Sequence, residues 1–148
     1  MDSLFQTDKY RFTRLTGSSI RIFSDHIRQT AFESIPGLTE SGYAFLFGSI
    51  LNGASGVFAY SKSGRLIALV ILSLKVDMLR NEHFFVLDAL KSFKRMTEHE
   101  IKDLLSNILA TAEAVMVKKI YTSVRKVSHS AVARRLGWVQ DNTLRIDV

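Results

Sequence analysis

Lys91-Ser-Phe-Lys-Arg-Met96 puts three cations within five positions, and Thr97-Glu-His-Glu100 follows directly. The second stretch is a capping box: the Thr97 hydroxyl can accept from the Glu100 backbone N–H while the Glu100 carboxylate accepts from the N–H of Thr97. A helix therefore begins at Thr97, and its positive end faces a loop that carries Lys91, Lys94 and Arg95. So basic a loop attracts anions, although a solvated basic surface has the same appearance. Lys118, Lys119, Arg125, Lys126, Arg134 and Arg135 add a second basic window, eighteen residues long and free of acids. Such a face attracts polyanions: the phosphates of a cofactor, a nucleic acid backbone or an acidic protein. For nucleic acid, only Tyr121 and Trp138 are at hand as stacking platforms.

Two strands and a helix must position that loop. Glu82-His-Phe-Phe-Val-Leu-Asp-Ala-Leu90 reads as a strand, and Ile120-Tyr-Thr-Ser-Val124, short and β-branched, as another. Between them Ile101, Leu104, Leu105, Ile108, Leu109, Ala112, Val115 and Met116 recur at three- and four-residue steps, one apolar stripe of a helix. Strand, helix and strand in succession form a right-handed crossover, so the two strands should be parallel neighbours. The Lys91 to Met96 loop then lies at the carboxyl end of the first, where open α/β sheets bind ligands.

Taken in order, Tyr10 to Leu15 alternates as a half-exposed strand. Thr16 to Ser19 turns into a helix from Ile20 to Ile35, with Ile20, Phe23, Ile27, Thr30, Ala31 and Ser34 on one face and Pro36-Gly37 as its stop. Tyr43 to Leu51 reads either as a second short helix or as an irregular apolar segment. Gly56 to Tyr60, a Ser61 to Gly64 turn and a long strand from Arg65 to Asp77 make a hairpin. Continuous hydrophobicity places that long strand in the sheet centre, covered on both faces. A turn at Asp141-Asn142 and a strand from Thr143 to Val148 close the order, which is that of a mixed α/β sheet.

The whole chain, 148 residues with 47% hydrophobic content, suits one domain spanning 1–148. Cysteine is absent, which removes thiolate chemistry and Cys-type metal sites. No Ser/His/Asp set, His-x-x-x-His spacing or nucleotide loop appears, so hydrolase, metalloenzyme and NTPase classes have no support, and no metal is expected. The longest apolar run, Leu66 to Leu74, is far shorter than the roughly 20 residues of a membrane helix. Met1 to Asp8 carries no basic region followed by an apolar one, so a cytoplasmic location is the default.

This order of elements resembles the GNAT N-acetyltransferase superfamily. Ala131-Val-Ala-Arg-Arg-Leu-Gly-Trp138 is similar to the short helix ending in Leu-Gly-Phe after the fifth strand of that superfamily, with Gly137 suited to a left-handed helix end. The resemblance implies a GNAT-like domain and an acyl-CoA-dependent N-acyltransferase that moves an acetyl group from acetyl-CoA to an amine. It implies that the cofactor lies where the fourth and fifth strands splay. The pantetheine arm would pair with the backbone from Leu87 to Leu90, and the pyrophosphate would rest on the loop amides up to Met96 and Thr97, with Lys94 and Arg95 adding charge. The superfamily's Arg/Gln-x-x-Gly-x-Gly/Ala loop is here Lys91 to Met96 without glycine, so the side chains of Phe93, Lys94, Arg95 and Met96 occupy or rim the anion site. Its asparagine eleven residues before Gly137 and its tyrosine four before it, the usual general acid, are Lys126 and Ala133. Substitutes are Asp88 or Glu82 as a base on the amine, if desolvation raises the pKa, and Tyr121 and His129 near the expected thiol end.

Ser128-His129 eight and nine residues before Gly137 is also similar to a Ser-His…Leu-Gly pattern in small GNAT-like proteins encoded beside virion genes of short-tailed bacteriophages. That second resemblance implies a catalytically inactive structural or interaction protein, a virion component whose basic face docks on an acidic partner.

Overall fold

The computed structural model describes residues 9–122, 139–140 and 144–148. Their seven strands form one sheet in the order β1-β2-β3-β4-β5-β7-β6, from β1 (Tyr10–Arg14), β2 (Ser55–Lys62), β3 (Arg65–Asp77), β4 (Glu82–Ser92), β5 (Lys119–Thr122), β6 (Val139–Gln140) and β7 (Leu144–Asp147). Only β4 and β5 run parallel, as the crossover through helix α4 (Glu98–Ala114) requires. Helices α1 (Ser18–Ile22), α2 (Ser24–Ser34) and α3 (Glu40–Asn52) fill the connection between β1 and β2. The mixed α/β architecture expected from the sequence is the one observed. Among the described residues no helix is long and apolar enough to cross a membrane.

Two apolar layers sandwich the sheet. Leu104, Ile108 and Ala112 of α4 pack on Phe58, Tyr60, Ala68, Val70, Leu72, Phe85 and Ile120. On the other face Ile20, Ile27, Ala31 and Ile50 of α1, α2 and α3 pack on Val57, Ala59, Leu69, Ile71 and Ala89. Successive β3 side chains enter opposite layers, which is why its hydrophobicity is continuous instead of alternating. Coverage stops at Ser73: Leu74 and Val76 are each 46% exposed, so the strand's last third projects beyond both helical layers.

Other expectations need correction. The run from Ile20 to Ile35 breaks at Phe23, whose backbone (φ −98°, ψ 14°) leaves helical geometry between α1 and α2. The apolar spacing passes through this break unchanged, so periodicity alone reads one helix. The segment around Tyr43 is helical from Glu40: the Thr39 hydroxyl accepts from the Gly42 N–H at 3.0 Å, and Gly53 ends the helix at φ 88°, a conformation only glycine adopts without strain. α4 ends at Ala114, and Val115 and Met116, which continue the stripe by spacing, are exposed while Val117 turns inward. The strand expected to stop at Leu90 continues to Ser92, because Lys91 and Ser92 pair with Leu69 and Ala68.

Candidate active site

Adjacent positions on β4 divide between the two layers until the strand bulges. Ala89 opposes Ile71 but Leu87 opposes Leu72, so Asp88 is an extra residue with no partner on β3. On its other side β4 pairs with β5. The described parallel pairing runs from Phe85↔Ile120 to Leu87↔Thr122, where the Thr122 hydroxyl donates to the Leu87 carbonyl at 3.1 Å. Beyond it the backbone alternates: the Phe93 N–H reaches the Ile67 carbonyl on the β3 side, so Leu90 and Ser92 turn their amides away from β3, to the side of β5. The Leu90 carbonyl accepts from the Ser34 hydroxyl of α2 at 2.9 Å.

Asp88 lies on the face carrying α1 to α3. Its Oδ2 accepts from the Ser73 hydroxyl of β3, and Ser73 Oγ is 2.7 Å from Ser55 Oγ of β2. Both serines are buried. Burial pushes the Asp88 carboxyl above the ordinary aspartate value, opposed by the Ser73 hydrogen bond and by the charge of Lys75. The Asp88 Oδ1 makes no hydrogen bond to described residues. Tyr121 sits opposite Val86, one side-chain period from Asp88 on the same face, with its ring edge-on to Phe84 at 5.3 Å. The register thus groups Asp88 with Tyr121. Glu82 it sets apart, at the far end of β4 and 3.2 Å from Lys119. His129 lies outside the described residues, as do Lys126, Ala133 and the Ala131 to Trp138 stretch.

The loop and helix start are built around a second carboxylate. Glu100, 1% exposed, accepts from the Thr97 N–H at 2.9 Å, and the Thr97 hydroxyl accepts from the Glu100 N–H at 3.1 Å, so the expected capping box is present. Lys94 Nζ stands 2.9 Å from Glu100 Oε2. The Thr97 amide, helped by Lys94 and Tyr10, holds the Glu100 carboxyl down at about 2 against the opposing effect of burial. The Tyr60 hydroxyl donates to Asp103 of the next helical turn at 2.6 Å, and burial followed by this carboxylate raises its pKa.

The loop cations are therefore not equivalent. Lys91 is paired with Glu33 and lies over the Phe93 ring, and Lys94 is engaged by Glu100. Arg95 is exposed and pairs with no described residue. Phe93, expected to rim the anion site, instead packs its ring 5.2 Å from that of His26 on α2, and Met96 packs into the α4 layer. These contacts clear part of the loop that the absence of glycine should have filled. The amides of Glu98 and His99 at the first turn bond to no described residue. Among the described residues no group of His, Asp or Glu could hold a metal ion.

By sequence the chain matches no family model and no curated protein. Solved structures share its architecture. An agmatine N-acetyltransferase superposes with a TM-score of 0.71 over 95% of this chain and 100% of that one, at 10% identity. A probable acetyltransferase gives 0.70 over 88% and 91% at 14% identity. A GNAT family acetyltransferase from Elizabethkingia anophelis, with acetyl-CoA bound, gives 0.67 over 95% and 99% at 9% identity. At such identities the likeness is one of fold, and the GNAT-like fold expected from the order of elements is the fold found.

Proposed function

We propose that this chain is an acyl-CoA-dependent N-acyltransferase in which Asp88 takes the proton of an acceptor amine. One observation carries the reading: a bulge puts a desolvated carboxyl, with one oxygen unbonded to described residues, on β4 directly after its last described pairing with β5. The residues around it suit acetyl-CoA. Leu90 and Ser92 offer amides along the β5 side of β4, the first-turn amides of α4 offer an anion site, and Arg95 is the loop cation that pairs with no described residue. Leu87 contributes to the floor, its carbonyl held by Thr122, and Met96 and Thr97 shape the turn into the helix. Lys94 would contribute charge only by leaving Glu100.

Bound acetyl-CoA supplies an acyl group activated as a thioester. The chain's part is proton handling and placement. A carboxyl raised by burial is a stronger base than an exposed aspartate, and its location on the α1 to α3 face lets it receive the N–H proton as the amine nitrogen bonds to the acyl carbon. The sulfur departs as thiolate with the carbon–sulfur electrons, and Tyr121, whose ring rests edge-on to Phe84, would protonate it only by turning toward Asp88.

Lys94 on Glu100 favours a second reading, a GNAT-like interaction protein without turnover, such as a component of a phage particle whose cations dock on an acidic partner. Calorimetric titration with acetyl-CoA, followed by thiol release in the presence of a panel of primary amines, separates the two. Micromolar binding and amine-dependent thiol release are expected. A folded protein that gives no heat at millimolar acetyl-CoA rules the transferase reading out.

A further inference from the structure

Asp88 is the end of a chain of side chains that crosses three adjacent strands. Ser55 of β2, Ser73 of β3 and Asp88 of β4 are 18 and 15 residues apart in sequence, and their oxygens are linked one to the next. Ser55 and Ser73 are 4% and 3% exposed. The direction of the bonds follows from what each group can do. An ionised carboxylate only accepts, so Ser73 must donate its hydroxyl proton to Asp88 Oδ2. The Ser73 oxygen then has lone pairs facing Ser55, and Ser55 donates to it. Two hydroxyl dipoles thus point their positive ends toward one carboxylate oxygen.

We propose that Ser73, and Ser55 through it, are positioning residues that keep Asp88 ionised despite its burial and fix one carboxylate oxygen so that the other faces the acceptor. The catalytic meaning rests on the transferase reading; the effect on Asp88 does not. The surroundings leave this task to the serines. On the same face β3 offers Lys75, which is exposed, and β5 offers Tyr121. α2, packed on β4 farther along, brings His26, turned to Phe23 and Phe93, and Glu33, paired with Lys91. No other described group donates to Asp88. Ser55 directly follows the turn that closes α3, the Ala54 N–H bonding Asn52 at 2.9 Å, so the chain also ties the carboxylate to the end of that helix.

The test is a carboxyl-carbon NMR titration of Asp88 in the intact chain, with the resonance assigned by its loss in Asp88→Asn. Ser73→Ala should move the midpoint up by about one unit, and Ser55→Ala by roughly half of that. Ser73→Thr keeps the hydroxyl and should titrate like the unmodified protein, which also covers a Ser73→Ala protein that folds poorly. An unchanged midpoint in Ser73→Ala, or a Ser73→Thr midpoint displaced as far as that expected for alanine, overturns the proposal. No substrate enters this measurement, so it can succeed while acetyl-CoA titration fails. Conversely, amine-dependent thiol release beside an unmoved Asp88 midpoint would keep the transferase and discard the serine chain.

Discussion

Glu100 and Asp88 are both carboxylates set into the fold, and their surroundings drive them in opposite directions. Glu100 closes a capping box, meets Lys94 and Tyr10, and is held ionised at about 2. Asp88 has one serine donor and a more distant lysine, and burial wins, raising its pKa. The first is a structural device: Oε1 takes the Thr97 amide, and the buried Oε2 faces the Lys94 ammonium. The second sits at a bulge with an oxygen unbonded to described residues, an arrangement that suits a group whose proton must come and go. That asymmetry separates carboxylates that hold a fold from those that do chemistry better than burial does, since Glu100 is the more buried of the two.

The sharpest way to break the comparison is to neutralise each carboxyl in turn. Asp88→Asn should lower the rate of acyl transfer by about 100-fold or more, the usual contribution of a general base, while acetyl-CoA binding persists. It should not destabilise the protein at neutral pH, because it removes a charge that burial disfavours. Glu100→Ala should do the reverse, costing about 2 to 3 kcal/mol in urea unfolding through loss of the cap and of the charge partner of Lys94.

Acid should show the same contrast. Glu100 has its folded pKa below the ordinary value of 4.5, so its stabilisation is full above that value and is lost as pH falls toward about 2. Asp88 has its folded pKa above the ordinary 3.8, so its contribution is full below that value and is lost as pH rises through the folded pKa. Unfolding midpoints measured from pH 2 to 7 should therefore lose their steepest acid limb in Glu100→Gln and keep it in Asp88→Asn. The smallest effects belong to the loop. Lys94→Ala should cost under about 1 kcal/mol, its side chain being half-exposed, and should weaken acetyl-CoA binding less than Arg95→Ala, because Lys94 already serves Glu100. Equal losses by calorimetry would show that Lys94 leaves Glu100 when ligand arrives.

Much of this could be read along the chain. Thr97 and Glu100 announce the helix start from four consecutive residues, and the continuous run in β3 announces a strand with two covered faces. The end of β4 was less legible: Lys91 and Ser92 look like loop, and only the pairing edge of Ala68 and Leu69 keeps them extended. The break at Phe23 was hidden for a related reason, since a kink that preserves the apolar face leaves no trace in the spacing.

By itself the sequence determined the order of the strands from β1 to β5, the crossover through α4 to a parallel strand and the nature of the helix start, because each follows from interactions among residues a few positions apart. Only the tertiary structure decided which charges are spoken for. Lys94 meeting Glu100, Tyr60 meeting Asp103 and the link from Ser55 through Ser73 to Asp88 depend on packing and on sheet register, the last two across 15 to 43 positions. A one-residue bulge sets that register at Asp88, and a shift of one residue in a strand turns a side chain to the opposite face.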